Sequence, residues 1–170
     1  KLKVERIDFY KQQISRILQE EYDVSKFFVL KEPRITRLIF FYEEILNSLN
    51  VKVRYVLPIR NPLSVAASLE KRNQMRLESS LLLWLRYQLE AERATRGRNR
   101  VFIVYEDLVR DWRSVLYRLC DELSITSLYP RGESNKEKDV LKIIEINNFL
   151  SSKYQHHNFT DKQLKLNPLV

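Results

Sequence analysis

Apolar residues recur in the first segment at Val4, Ile7, Tyr10, Ile14, Ile17 and Leu18. Spacings of three and four line one face of a helix, so residues 4–22 are expected to be helical. After a polar break, Phe27-Phe28-Val29-Leu30 is continuously apolar. That is the pattern of a short strand buried on both faces. Pro33 prevents its continuation, because proline has no N–H to give to a ladder. Helical spacing returns over 35–49, and Val51 to Ile59 reads as a second strand. Pro62 then opens a helix at its first position, where a missing N–H costs nothing. That helix runs to about Asn73. A longer one covers about 78–96, with Leu81, Trp84, Leu85 and Leu89 on one face, and Gly97 stops it as a C-cap. Val101-Phe102-Ile103-Val104 is the third strand. Trp112, Val115, Leu116, Leu119 and Leu123 make a further amphipathic helix. Residues 124–136 read as loop, 137–151 as helix and 152–170 as a polar, irregular tail.

Three short apolar strands alternating with helices predict an α/β fold, a parallel sheet flanked by helices in three layers. A length of 170 residues fits one domain over 1–170. In such sheets ligands bind beyond the carboxyl ends of the strands. The polar clusters at those ends are Lys31-Glu32-Pro33-Arg34, Arg60-Asn61 and Tyr105-Glu106-Asp107. They are expected side by side along one edge.

Composition narrows the chemistry. The only glycines are Gly97 and Gly132, so no complete glycine-rich phosphate loop is present. Cys120 stands alone, which excludes an intrachain disulfide and a cysteine metal cluster. No apolar run is long enough to span a membrane. The net charge is +8, and it is uneven: residues 52–113 hold thirteen basic and seven acidic side chains. A local basic surplus suits an anionic partner, although it serves equally as a solubilising surface.

The strand-end residues each have two readings. Arg60, ahead of a helix N-terminus, suits an anion with several oxygens, or else pairs with a carboxylate. Ser68 reaches the same anion only if the anion lies along the helix flank. Ser64, nearer the end, is the alternative hydroxyl donor, and the plainer reading has both serines simply facing solvent. Lys31 is either a point charge that stabilises a leaving oxygen or a surface lysine. Glu32 is a general base, or else a helix N-terminal carboxylate or a partner of Arg34. Tyr105 stacks on a purine or bonds a phosphate, or else closes the core edge. Asp107 suits a cap. His156-His157 lies in the polar tail with no third ligand nearby.

Taken together, these residues resemble a known family. The segment Arg60-Asn61-Pro62-Leu63-Ser64-Val65-Ala66-Ala67-Ser68 is similar to the 3′-phosphate-binding motif of sulfotransferases that use 3′-phosphoadenosine 5′-phosphosulfate. VFIVYEDLVRDW, from Val101 to Trp112, is similar to that family's later strand and Tyr-Glu-Asp-Leu segment. VLKEPR, from Val29 to Arg34, resembles the Lys-Asp-Pro segment of carbohydrate- and tyrosyl-protein-type members, with Glu32 in place of Asp. Trp84 to Gly97 resembles bacterial members. The resemblance covers roughly residues 25–125 and implies a fold like that of P-loop NTPases, incomplete at its N-terminus.

By position, the resemblance implies that Arg60 and Ser68 bind the cofactor's 3′-phosphate. It places Lys31 near the sulfuryl group, Glu32 beside it, and Tyr105 near the nucleotide. Arg131-Gly132 corresponds loosely to a C-terminal loop touching the same phosphate. The implied reaction moves a sulfuryl group to a hydroxyl or amine of a glycan or similar acceptor and leaves adenosine 3′,5′-bisphosphate. It needs no metal. Pro33 stands where cytosolic members carry a histidine base. The family's phosphosulfate loop has no counterpart before Lys31. The expectation is therefore the C-terminal part of a longer, cytoplasmic bacterial enzyme, whose loop and base lie upstream. A non-catalytic remnant of the fold and a basic nucleic-acid-binding module are the alternatives. Nucleic acid is not expected as a partner, since no groove-reading helix stands out.

Overall fold

A computed structural model describes residues 2–23, 25, 27–125 and 145–150. The described residues form α1 (Leu2–Tyr22), a 3-10 helix (Pro33–Leu38), α2 (Ile39–Ser48), β1 (Tyr55–Ile59), α3 (Pro62–Asn73), α4 (Leu77–Thr95), β2 (Arg100–Val104), α5 (Tyr105–Arg110) and α6 (Trp112–Glu122). Residues 145–149 add a last helical turn. Two compact units emerge. One holds the described residues up to Arg54 together with Leu89–Arg98, and the other holds Tyr55–Gln88 and the described residues from Asn99 on.

The first unit is built on α1 and α2. Leu18, Ile45 and Leu46 are its buried centre, with Ile14, Tyr22, Phe28, Leu30 and Leu49 packed around them. Tyr22 and Phe28 stack with ring centroids 4.5 Å apart. Residues 27–30 do not form a strand. The run is apolar throughout, but only Phe28 and Leu30 face the helices, while Val29 is 69% exposed and Phe27 40%. An extended segment with one buried side needs no flanking strands, so its apolar continuity misleads. Arg98 joins the end of α4 to α2 through a bidentate pair with Glu43 and lies over the Phe40 ring. Gly97 follows α4 with φ of 75°, the left-handed cap expected there.

The second unit carries the sheet. β1 and β2 pair in parallel, Tyr55 with Arg100 through Ile59 with Val104. These are the only strands among the described residues, so the expected three-layer parallel sheet is not formed. The backbone shows why the ladder stops. Tyr55 N–H donates to Asn99 C=O, so odd residues of β1 face β2 and even ones face outward. On that outer edge Pro58 has no N–H, and the carbonyls of Pro58 and Arg60 accept from Gln88 Nε2 (3.5 Å) and Trp84 Nε1 (3.2 Å). Residues two apart on the strand meet residues four apart on α4. On the far edge, Arg118 Nη2 donates to the carbonyl of Phe102 (3.2 Å). Side-chain donors occupy positions that further strands would take.

The core of this unit centres on Val101, Leu123 and Ile125, with Leu119 packed against them. Leu123 is fully buried just beyond α6. Truncating such a side chain loses its transfer free energy and leaves a cavity. Leu123→Ala is expected to lower unfolding free energy by about 2–5 kcal/mol in urea titrations. A loss below about 1 kcal/mol would show that Leu123 does not anchor this core.

Candidate functional site

The site grows from the ends of the two strands. Ile59 pairs with Val104, so the next residues out, Arg60 and Tyr105, lie at the same level. The Arg60 guanidinium sits over the Tyr105 ring, with Cζ 4.6 Å from the centroid. One residue further, Asn61 N–H donates to Glu106 Oε1 at 3.1 Å. Arg60 is half-buried and its Nε is enclosed. Its carbonyl is the acceptor for Trp84 described above, which ties the start of the turn to α4.

Asn61 starts α3. Its Oδ1 accepts from Leu63 N–H (3.0 Å) and Ser64 N–H (3.3 Å), and its carbonyl accepts from Val65 N–H (3.1 Å). Pro62 at the first helical position has no N–H to satisfy. Glu106 takes the N–H of Asn61 itself. Every N–H from Asn61 to Val65 is thus engaged. An anion arriving here meets the dipole of α3 but no vacant amide, so direct binding falls to the Arg60 side chain.

The serines divide. Ser64 is 1% exposed and faces the core. Ser68 is exposed on α3, four residues and a little over one turn further on. Tyr105 is half-buried at the first position of α5. That helix was not expected, because the Tyr-Glu-Asp-Leu segment reads as a strand-end cluster. Glu106 and Asp107 in its first turn and Arg110 in its last are its signature, and Arg110 pairs with Asp107. Asp111 then separates α5 from α6, accepting from Ser114 N–H (3.2 Å) and Ser114 Oγ (2.6 Å). Those bonds hold its carboxyl below its ordinary range.

Lys31 and Glu32 belong to the first unit. Lys31 is exposed. Glu32 caps the 3-10 helix, accepting from Arg34 N–H (3.1 Å) and Arg34 Nε (2.9 Å). Both of its non-catalytic readings are therefore realised together. The Arg34 bonds lower its carboxyl from 4.5 to about 2, which makes it a weak proton acceptor. Arg131, His156 and His157 lie outside the described residues, as do the 152–170 tail and most of the helix expected over 137–151. Cys120 is partly buried, and burial raises its thiol. Among the described residues, no three His, Cys, Asp or Glu side chains gather to hold a metal, and no helix is long and apolar enough to cross a membrane.

Asn61 and Glu106 stand in the strand-end clusters read from the sequence, but neither was given a role there, and Trp84 was read only as a helix-face residue. An Asn-Pro pair between a strand and a helix is a readable cap signal for Asn61. Glu106 and Trp84 follow only from strand register and from a helix 24 residues away in sequence. Comparisons with protein-family models, with characterised proteins and with solved structures returned no match.

Two outcomes test this geometry. Asn61→Ala removes the cap of α3 and should cost about 0.5–2 kcal/mol in thermal or urea unfolding. An unchanged midpoint would refute the capping role. Glu32 has a depressed folded value, so its contribution is complete above about 4.5 and is lost as pH falls through about 2. Glu32→Gln should flatten the fall of the urea midpoint across that window. An identical slope in both proteins would show that Glu32 carries none of the acid dependence.

Proposed function

We propose that the chain binds 3′-phosphoadenosine 5′-phosphosulfate and serves a sulfotransferase, with Arg60 taking the nucleotide's 3′-phosphate. The observation that carries this reading is the Arg60 guanidinium over the Tyr105 ring, beyond a parallel strand pair and at the head of the Arg60-to-Ser68 segment. The donors of a guanidinium lie in its plane and match the oxygens of a phosphate. An aromatic ring beneath the cation fixes its orientation before the ligand arrives. Ser68 is exposed on α3 and suits a phosphate resting along the helix flank.

The nucleotide supplies the sulfuryl group. An acceptor hydroxyl or amine forms a bond to sulfur as the bond to the 5′-phosphate oxygen breaks, adenosine 3′,5′-bisphosphate leaves, and the acceptor proton passes to a base. The contacts behind the Arg60 assignment all lie within the second unit. The similarity of Trp84 to Gly97 to bacterial members supports a bacterial, cytoplasmic setting, and that of Val29 to Arg34 to carbohydrate-type members supports a glycan or similar hydroxylated acceptor.

Binding without transfer is the second reading, and the engagement of Glu32 with Arg34 favours it. Calorimetry with adenosine 3′,5′-bisphosphate tests both. Arg60→Ala should weaken binding at least about tenfold, the scale of losing one charge-assisted phosphate contact. Equal affinity in the two proteins would overturn the assignment. Formation of the bisphosphate from the phosphosulfate in the presence of a polyhydroxylated acceptor separates transfer from binding.

A further inference from the structure

We infer that Glu106 is a resident anion that sets the affinity and charge selectivity of the Arg60 site. The inference rests on the anion-binding reading of Arg60 and concerns a residue to which that reading gives no role. Glu106 lies in the first turn of α5, just beyond β2, and its Oε1 accepts from the Asn61 N–H at 3.1 Å. That amide is the one next to Arg60 and the first of the α3 junction. It is where an incoming oxyanion would find its nearest backbone donor. Leu63 and Ser64 amides are held by Asn61 Oδ1, which is neutral. The amide of Asn61 alone is held by a full negative charge.

The charges along this face are consistent with that role. Asp107 is committed to Arg110 and stands within α5. Glu106 is exposed and sits at the mouth of the turn. A phosphate approaching Arg60 therefore meets the like charge of Glu106, in a solvent-exposed setting where the repulsion is moderate and screened by salt. The carboxylate satisfies the amide in the empty protein and imposes a penalty on each anion that replaces or adjoins it. A multiply charged nucleotide with several contacts tolerates that penalty, and a small free anion does not. Glu106 thus acts as a selectivity residue and not as a ligand.

Glu106→Gln keeps an oxygen that accepts from Asn61 N–H and removes the charge. In the full chain, this variant should bind adenosine 3′,5′-bisphosphate about three- to tenfold more tightly at low ionic strength. The gain should shrink as salt is raised towards 0.5 M, which a purely structural change would not produce. Inorganic phosphate, titrated in parallel, should gain more than the nucleotide, and an equal or smaller gain would overturn the selectivity role. Thermal melting of the same preparations reports whether the junction survives. Unchanged affinity in Glu106→Gln, with loss in Arg60→Ala, would overturn the role of Glu106 and leave the Arg60 reading standing. A gain that does not respond to salt would overturn it as well. Indifference of binding to Arg60→Ala, or absence of binding in wild type and variant alike, would overturn both.

Discussion

The pairing of Ile59 with Val104 decides what lies beyond both strands. Parallel strands that end at one level hand their next residues to each other. Arg60 therefore meets Tyr105, and Asn61 meets Glu106, without any loop having to fold back. The two segments are separated by about forty residues of chain, including all of α3 and α4. A slip of one residue would place Arg60 against Val104 or Glu106 and would reverse the facing of every side chain in the shifted strand. Leu57 is buried on one face and Val101 and Ile103 on the other, so packing on both faces enforces the register.

That same junction limits what the site can do. Helix N-termini attract anions chiefly through vacant amides, with the dipole adding a weaker field. Here Asn61 Oδ1, Asn61 C=O and Glu106 consume the donors, and Pro62 removes one outright. Local stability and ligand affinity compete for the same N–H groups. The proposed anion binding therefore rests on the Arg60 guanidinium over its aromatic ring and not on backbone amides. A site of that kind depends on side-chain placement, and side-chain placement depends on Trp84 holding the carbonyl of Arg60.

Most helices were legible from regular apolar spacing, but the one expected over 35–49 is α-helical only over Ile39–Ser48 and is preceded by the 3-10 helix Pro33–Leu38. The spans expected over 4–22, 62–73 and 78–96 fall within about two residues of α1, α3 and α4. The Pro62 start and the Gly97 stop come from backbone chemistry that tertiary contacts do not override. Strands were harder to read. Phe27 to Leu30 looks fully apolar, yet burial is decided by what lies on each side, and no residue pattern of four positions records that. Val51 to Arg54 likewise precedes β1 without joining it. At the site, Arg60 and Tyr105 were legible as strand-end residues. Their contact, and the role of Glu106, depend on a register that pattern alone does not fix.

The two-stranded sheet is itself a consequence of side chains at its edges. Partners in a parallel ladder point to the same face, so Val56 shares a face with Val101, and Leu57 shares the other with Phe102. Val101 is buried against Leu119 and Leu123 while Val56 is exposed, and Leu57 is buried while Phe102 and Val104 are exposed. Each face is therefore covered over only one strand. A bare two-stranded ribbon is marginal in water. Here Gln88 and Trp84 close one edge and Arg118 the other, and Pro58 offers no N–H on the first. The ladder is held by donors from helices, so the level at which β1 ends is set by α4 as much as by β2. Positioning of Arg60 over Tyr105 is in that sense a property of the whole second unit, and not of the short motif that contains it.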